Sequence, residues 1–381
     1  MQARPDIFTD KGGDTIQLIK TRQALQSLGV IVDVSTDFEP DLDNYDMVHL
    51  FNLKLVESTY LQFLNAKKQG KPIAFSTIYW RLSEEENQEF SKQLVSIYGK
   101  FRMGYLQKAK NTLKKLKYLQ PAISFYTKIK ENKRYQPHIF YRLRQEIGER
   151  KMQMQVLQEA DILLPNSESE MGLIRKDFGV NKDYVVIPNG VDLGYESANG
   201  DYFYKKYGLK DFILCVARIE ERKNQLSVIR ALKDIDIPLV FIGRGREPYF
   251  SKCKREAGKN VYFLGHLEGS ELASAYAAAK IHVLPSWYET PGLSNLEAAL
   301  AGCNIVVTRK GATEEYFGNY AEYCEPNDIR SIREAILKAM NKPYPAKLED
   351  IIKENYTWNS AAQKTLEAYY KIMHEYYGYK K

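Results

Sequence analysis

Strand-like apolar runs alternate with helix-like stretches along almost the whole chain of 381 residues, and they fall into two sets. The runs are short and continuous, as expected of strands buried on both faces of a parallel sheet. The first set is Val30–Val32, Met47–Phe51, Pro72–Phe75, Asp161–Leu164 and Tyr184–Ile187, and the second is Phe212–Val216, Leu239–Ile242, Val261–Leu264, Ile281–Leu284 and Asn304–Val307. Because a chain of this length exceeds one ordinary core, the pattern predicts an α/β protein of two Rossmann-like parallel-sheet lobes, 1–194 and 195–357, facing each other across a deep cleft.

The segment from Pro285 to Glu297 carries the strongest functional signal in the chain. It places two carboxylates, Glu289 and Glu297, eight residues apart across a turn that opens a helix. Pro291 and Gly292 allow a tight turn and a close approach of the backbone to a ligand, while the free N–H groups of the new helix favour an anion. We therefore expect a phosphate here, with Glu289 left to bind neutral hydroxyl groups and Glu297 within reach of a diol such as a ribose.

Two basic side chains follow the first strand of the second set. Arg218 and Lys223 lie just beyond Val216, where a guanidinium and an ammonium can hold a diphosphate from two sides and neutralise a leaving group. The alternative is that both are ordinary solvated surface residues. Gly243 and Gly245 form a short glycine turn after the next strand, which is a weak signal because the full dinucleotide fingerprint is absent.

A further glycine pair, Gly12-Gly13, stands before the first predicted helix, Thr15–Leu28. This pair suits a flexible loop that binds an anion at a helix start. The alternative is an ordinary turn in which Asp14 caps the helix.

The formal net charge of +7 conceals a local excess of positive charge. Residues 92–151 contain sixteen Lys or Arg and three Glu, so the rest of the chain is net negative. Leucines recur there at helical spacing among lysines, which is typical of a helix on an anionic membrane surface; the alternative is a lysine-coated helix packed on its lobe. Nucleic acid is a weaker third partner, because no recognition motif accompanies the charge. The lysines concerned are Lys108, Lys110, Lys114, Lys115 and Lys117.

Other features of the composition bear on compartment and on metals. We expect neither export nor a membrane span, because we find no leader and no apolar window of sufficient length. Four cysteines without Cys-x-x-Cys spacing indicate buried thiols in a reducing compartment, so we expect a cytoplasmic protein. Asp41-Leu42-Asp43 and Asp234-Ile235-Asp236 mimic a metal-binding Asp-x-Asp pattern, but we interpret both as loops or caps and expect no metal site.

Taken in order, these motifs resemble the retaining nucleotide-sugar glycosyltransferases of family 4, which have the GT-B fold. The resemblance spans nearly the whole chain and is weakest from Leu82 to Lys151, and the ordered series is more specific than any of its parts. The matching segments are Gly12-Gly13, Pro188-Asn189-Gly190-Val191-Asp192, Arg218 with Lys223, Gly243 with Gly245, Phe263-Leu264-Gly265, and Pro285-Ser286 leading to Glu289, Gly292, Leu293 and Glu297.

The resemblance implies how a nucleotide sugar would be bound. Arg218 and Lys223 would bind the donor diphosphate, Glu289 the hydroxyls of the donor sugar and Glu297 the ribose. The final helix, within 358–381, would pack back onto the first lobe. The remaining implied contacts come from the backbone. Gly292 and Leu293, next to Pro291, would contact the sugar and the distal phosphate, and the stretch at Leu267 would contact the base.

Two positions depart from the family pattern. The family often has a His, facing the donor sugar, where this chain has Ile78-Tyr79-Trp80, and we expect Tyr79 to line the pocket instead. Pro291 stands where the family usually has Phe, which alters the loop without removing its amides.

The resemblance implies hexosyl transfer with retention, in which the departing diphosphate accepts the proton of the acceptor, without metal or cofactor. The protein then contributes positioning and electrostatic stabilisation. From family habit and the basic segment we expect a glycan acceptor, lipid-linked, in bacterial surface polysaccharide synthesis at the inner face of the cell membrane. The alternatives are a nucleotide-sugar epimerase or phosphorylase on the same fold, and a non-catalytic module that binds polyanions or membranes.

Overall fold

The computed structural model describes residues 1–98, 137–290 and 292–378. The chain divides into two compact units. Unit 1 comprises the described residues within 1–80, 94–188 and 361–381, and unit 2 comprises those within 81–93 and 189–360. The assignment of residues 81–93 to unit 2 has no counterpart in the sequence-based prediction.

Unit 1 contains a parallel sheet of three buried strands in the order β1-β2-β3. Residue Val48 pairs with Ile73, and Ala74 pairs with Ile162. The strands are β1 (Val48–Phe51), β2 (Ile73–Ser76) and β3 (Ile162–Leu163). The helices before β4, in chain order, are α1 (Gly13–Ser27), α2 (Val56–Lys68), α3 (Glu84–Tyr98), α4 (Pro137–Glu146), α5 (Glu149–Glu159), α6 (Glu168–Phe178) and α7 (Asp201–Tyr207). Of these, α7 and residues 84–93 of α3 belong to unit 2.

Two of the five strands predicted for the first lobe are not formed. Val30–Val32 is not a strand: Ile31 is 91% exposed, and the Val30 N–H donates to the Leu25 carbonyl at 3.1 Å as the chain leaves α1. Tyr184–Ile187 contributes a single bridge from Tyr184 to Leu163. Helix α1 also begins and ends earlier than predicted, at Gly13 and Ser27.

Unit 2 contains a parallel sheet of six strands in the order β6-β5-β4-β7-β8-β9. Its strands are β4 (Phe212–Val216), β5 (Leu239–Ile242), β6 (Val261–Phe263), β7 (Ala279–Leu284), β8 (Asn304–Thr308) and β9 (Ala321–Cys324). Its helices after β4 are α8 (Gln225–Ala231), α9 (Tyr249–Glu256), α10 (Gly269–Ala278), α11 (Leu293–Leu300), α12 (Thr313–Phe317), α13 (Ile329–Met340) and α14 (Ala346–Asn355). The strand order reverses between β4 and β7, and in doubly wound sheets ligands bind outside the carboxyl ends of the strands at such a switch point.

The last helix, α15 (Trp358–Tyr377), belongs to unit 1 from Ala361 onward. Its apolar face joins the unit 1 core, and Tyr369 places its hydroxyl 2.5 Å from Nδ1 of the buried His49 on β1. Among the described helices, none is both long enough and apolar enough to span a membrane.

Candidate active site

Two loops meet at the switch point of unit 2, one after β4 and one after β7. The first forms a short 3₁₀ turn, Glu221–Lys223, and the second carries Glu289. Their backbones are joined, because the Trp287 N–H donates to the Arg222 carbonyl at 2.9 Å. Arg222 in turn donates from Nη1 to the Tyr288 carbonyl at 2.8 Å. The fold therefore brings together two segments more than sixty residues apart at the edge where a ligand is expected.

The side chains of Lys223 and Glu289 form a buried ion pair across these two loops. Glu289 is 5% exposed, and Arg222 Nη1 lies 3.6 Å from the same carboxylate oxygen. Burial alone would raise the pKa of Glu289, but Lys223 and Arg222 outweigh it and hold the pKa of this carboxyl below its ordinary value. Glu289 is thus an anion in the folded protein, able to accept hydrogen bonds from neutral hydroxyl groups.

Three arginines surround Glu220, a buried carboxylate that the sequence analysis did not select. Its oxygens lie 3.6 Å from Arg218, 3.6 Å from Arg222 and 3.3 Å from Arg246. The Arg218 and Arg246 side chains remain 38% and 53% exposed. Glu220 therefore gathers guanidinium groups at the ends of β4 and β5 while leaving them accessible to an anion. The sequence signal that could have pointed to Glu220 is the run of two acidic and two basic residues, Glu220-Glu221-Arg222-Lys223, shortly after the end of β4.

The glycine turn after β5 has a packing reason of its own. A Cβ on Gly243, whose φ is +144°, would lie 2.0 Å from the Ala217 carbonyl oxygen, and one on Gly245 would lie 2.3 Å from the Phe250 ring. The turn also bonds to the first loop, because the Ile219 N–H donates to the Arg244 carbonyl at 2.9 Å. Gly243 is thus required to pack the turn against the loop after β4, and Gly245 to pack it against α9, whether or not either contacts a ligand.

Helix α11 begins directly after the second loop. Gly292 caps it with φ +77°, and a Cβ there would lie 3.0 Å from the nearer Glu289 carboxylate oxygen. Leu293 is the first helical residue, so its N–H is among those that a helix leaves free at its start. Pro291 lies outside the described residues. The close approach of Gly292 to Glu289 places the helix start beside the buried ion pair.

Glu297 lies one turn into α11, and a tyrosine holds its carboxylate. The Tyr276 hydroxyl donates to Glu297 Oε2 at 2.7 Å. Tyr276 is fully buried, so this contact fixes the direction of the Glu297 side chain. The side chain of Leu267, in the loop after β6, packs against the unit 2 core.

Gly12 and Gly13 lie in unit 1, at the start of α1. Gly12 rather than Asp14 is the capping residue, and its N–H donates to Thr15 Oγ1 at 3.0 Å. Asp14 is the second residue of α1, and its carboxylate accepts the Thr15 N–H at 2.9 Å and a hydrogen bond from Arg4 Nε at 2.8 Å. The interpretation of Asp14 as the N-cap was therefore wrong in position, because Gly12 holds that place, while the Asp14 carboxylate does accept one N–H at the helix start.

Other side chains named in the sequence analysis have their own partners. Tyr79 is buried against Phe178, and its hydroxyl donates to Asp177 at 2.9 Å. Asp234 pairs with Arg333, and Asp41 accepts the Asp43 N–H at 3.0 Å. Within the described ranges, no three His, Cys, Asp or Glu side chains come together to hold a metal ion. The five lysines from Lys108 to Lys117 lie outside the described residues.

His282 on β7 links the sheet to the start of α11. Its Nε2 accepts the Val216 N–H at 3.1 Å, so Nδ1 carries the proton and donates to Asn295 Oδ1 at 2.9 Å. The Asn295 N–H is also bonded to the Gly292 carbonyl at 2.8 Å. The sequence analysis placed no function on His282, whereas the structure makes it the buried support of the helix start.

Acidification is expected to destabilise the protein through His282. Burial lowers the pKa of this imidazole to about 3, against an ordinary value of 6.5. The unfolded chain therefore binds a proton first as the pH falls, so this contribution to stability is complete above pH 6.5 and is lost progressively toward pH 3. Between pH 6.5 and pH 5 we expect His282 to lower the free energy of unfolding by about 2 kcal/mol. Denaturant unfolding of wild type and His282→Gln at both pH values measures this, and equal pH dependence of the two proteins would contradict it.

Sequence comparisons match the larger part of unit 2 to a known family. Residues 203–358, less than half of the chain, match the family of glycosyl transferases group 1. A GDP-mannose-dependent monoacylated alpha-(1-6)-phosphatidylinositol monomannoside mannosyltransferase of Corynebacterium glutamicum is 27% identical in an alignment of 217 residues that covers 51% of this chain and 57% of that protein. O-antigen chain mannosyltransferase B of Escherichia coli is 26% identical in an alignment of 181 residues that covers 43% of this chain and 48% of that protein. The chain spans about half the length of the curated relatives it matches.

Solved structures match over nearly the whole chain. Anabaena Alr3699/HepE in complex with UDP-glucose has a TM-score of 0.68 at 13% identity, covering 97% of this chain and 98% of that one. Sucrose-phosphate synthase from Thermosynechococcus elongatus has a TM-score of 0.63 at 19% identity, covering 96% and 94%. With its two parallel-sheet units, the chain has the GT-B fold.

Proposed function

We propose that this protein transfers a hexosyl group from a nucleoside-diphosphate sugar to a glycan acceptor, with retention of configuration. The observation that carries the proposal is the group of cations at the switch point of unit 2, where Lys223 and three arginines are paired with two carboxylates, Glu220 and Glu289. This group has a surplus of positive charge beside a helix start. Such an arrangement suits a diphosphate, because charge-assisted hydrogen bonds and free helix N–H groups both favour anions.

The two carboxylates of the second loop and α11 would bind the neutral parts of the donor. Glu289, held ionised in its buried pair, would accept hydrogen bonds from sugar hydroxyls. Glu297, fixed by Tyr276, would accept them from the ribose diol. The start of α11 at Gly292 and Leu293 lies between these two carboxylates in the chain, where the distal phosphate would bind. The glycine turn at Gly243 and Gly245 would let the backbone approach the donor, as would the separate loops at Leu267 and Pro291.

In the proposed reaction, a hydroxyl oxygen of the acceptor forms a bond to the anomeric carbon as the bond from that carbon to the diphosphate breaks. The acceptor proton passes to the departing diphosphate on the same face of the sugar. Arg218 and Lys223 would stabilise the negative charge that develops on the leaving group, which is the largest contribution a protein makes to such a transfer. We propose that these side chains supply the charge that a metal ion would otherwise supply.

For the acceptor, we propose a lipid-linked glycan in bacterial surface polysaccharide synthesis, used by a peripheral protein at the cytoplasmic face of the membrane. Support comes from two relatives, of which one is named for transfer to a phosphatidylinositol mannoside and the other for transfer to an O-antigen chain. The positive excess within residues 92–151 is the feature of this chain that suits an anionic surface.

A turnover assay with a panel of nucleotide sugars tests which donor is used, and its repetition with a chelator tests metal independence. NMR of the anomeric configuration of the product tests retention.

Replacing Arg218 by Ala is expected to weaken binding of a nucleoside diphosphate about ten- to a hundredfold and to leave binding of the nucleoside unchanged. The lost charge-assisted contact corresponds to about 1.5–3 kcal/mol. Calorimetric titration with GDP, UDP, guanosine and uridine measures both affinities. Arg333→Ala is the matched control, because Arg333 is also paired with one carboxylate and its side chain is 34% exposed. Equal weakening of the diphosphate and the nucleoside would place Arg218 away from the phosphates.

A further inference from the structure

Residues 81–93 come from the N-terminal half of the chain but belong to unit 2. They pack against the candidate site through an ion pair and a ring contact. Glu86 lies 3.3 Å from Lys310 Nζ, and the Phe90 ring lies 5.2 Å from the ring of Trp287. Trp287 is fully buried and stands two residues before Glu289. The beginning of α3 is therefore part of the wall behind the loop that carries Glu289.

The side-chain amide of Gln93, on the same helix, uses its acceptor and its donor in this packing. Its oxygen accepts the indole N–H of Trp287 at 2.7 Å. Its nitrogen donates to Asn224 Oδ1 at 2.6 Å and to Ser227 Oγ at 3.1 Å. One amide thus bonds to the loop after β4 and to the loop after β7 at the same time.

Asn224 shows why this contact matters for the site. It follows Lys223 directly and ends the 3₁₀ turn in the left-handed conformation, with φ +64°. Its own amide nitrogen donates to the Pro285 carbonyl at 3.1 Å and to the Pro326 carbonyl at 2.7 Å. Asn224 therefore fixes the end of the turn that presents Lys223, and Gln93 and Ser227 both donate hydrogen bonds that hold the Asn224 side-chain oxygen in place.

We propose that Gln93 is a positioning residue for donor binding, which sets the spacing between the Lys223 loop and the Glu289 loop. This inference rests on the proposed function, because it assigns to the two loops the binding of a nucleoside diphosphate sugar. Its physical basis is that charged groups must be held within a fraction of an ångström to bind a diphosphate from two sides. A bridge of three hydrogen bonds from one planar amide provides such a constraint, and a leucine of similar size provides none of it.

The test compares Gln93→Leu with Gln88→Leu, a control at an exposed position of the same helix. Calorimetry measures the dissociation constants of both proteins and of wild type for GDP, UDP, guanosine and uridine, well below their melting temperatures. We expect Gln93→Leu to raise the dissociation constant of the preferred diphosphate about five- to thirtyfold, with the nucleoside unchanged and the control like wild type. The indole N–H signal of Trp287 in a ¹⁵N-labelled sample should also move in Gln93→Leu and not in the control.

A Gln93→Leu protein with a lower melting temperature but wild-type diphosphate affinity would overturn the inference, since Gln93 would then be structural only. If wild type itself binds neither diphosphate, the proposed function fails and this inference fails with it. Failure of the inference alone is therefore recognised by a wild type that binds and a Gln93→Leu protein that binds equally well. Should Gln93→Leu not fold, Trp287→Phe keeps an aromatic ring and removes the bond to the Gln93 oxygen, together with the volume of the second indole ring. The same selective loss of diphosphate affinity is then expected, and unchanged affinity would overturn the inference.

Discussion

Replacing Glu289 by Gln is expected to lower kcat/KM for glycosyl transfer by about ten- to a thousandfold, because positioning and transition-state contacts have that scale. The substitution keeps the shape of the side chain and removes its charge. It also leaves the buried Lys223 ammonium without its carboxylate, so we expect the free energy of unfolding to fall by about 3 kcal/mol. Transfer must therefore be measured well below the melting temperature, per mole of folded protein.

Glu322→Gln is the control for the loss of stability that follows when a carboxylate paired with lysine loses its charge. Glu322 lies on β9, its side chain is 13% exposed, and it pairs with two lysines, Lys338 and Lys342. We expect that variant to lose stability and to retain transfer. If both variants keep wild-type turnover, or if Glu289→Gln merely unfolds more easily, Glu289 does not contact the donor sugar.

Replacing Gly311 by Ala is expected to reduce transfer at least a hundredfold, because it displaces the backbone of Glu289. Gly311 has a φ of +99°, and a Cβ there would lie 1.9 Å from the Glu289 carbonyl oxygen. The neighbouring hydrogen bonds, from Glu289 N–H to Lys310 at 3.1 Å and from Ala312 N–H to Glu289 at 2.9 Å, leave the two backbones no room to part. Steady-state kinetics on folded protein measures the loss.

Gly302→Ala is the control that separates the steric clash at Gly311 from the strain of a side chain at positive φ. Gly302 also lies in unit 2, has a φ of +90° and has nothing within 4 Å of the place a Cβ would occupy. Both variants bear the strain of a side chain at positive φ, which is about 1–3 kcal/mol. Only Gly311→Ala should lose transfer, and comparable activity in the two variants would show that the Glu289 backbone tolerates displacement.

Five of the six strands described in unit 2 could be predicted almost to the residue, whereas β9 (Ala321–Cys324) was not predicted. Phe212–Val216 and Leu239–Ile242 form as predicted, and the other three predicted runs differ from their strands by two residues at most. The physical reason is that a central strand of a parallel sheet is covered on both faces. Its side chains must then be apolar without interruption, and such runs are visible in a sequence.

Unit 1 shows where this reasoning fails. Val30–Val32 has the composition of a strand, but Ile31 is exposed and Val30 still bonds back to α1. Three β-branched residues do not make a strand, because strand pairing depends on a partner chain that the local sequence does not specify. The same limit applies to Tyr79, whose neighbours Phe178 and Asp177 come from a helix nearly one hundred residues later.

The sequence by itself determined the two-lobed α/β class of the chain and selected Arg218, Lys223, Glu289 and Glu297 as its candidate donor contacts. These conclusions rest on local properties, since apolar runs, glycine turns and charged residues beyond strand ends can all be read along the chain. Only the tertiary structure paired Lys223 with Glu289, gathered three arginines around Glu220 and placed Gln93 in unit 2. These contacts join residues that are distant in the sequence. Whether two such residues meet depends on the path of the backbone between them, which cannot be read from the local sequence around either residue.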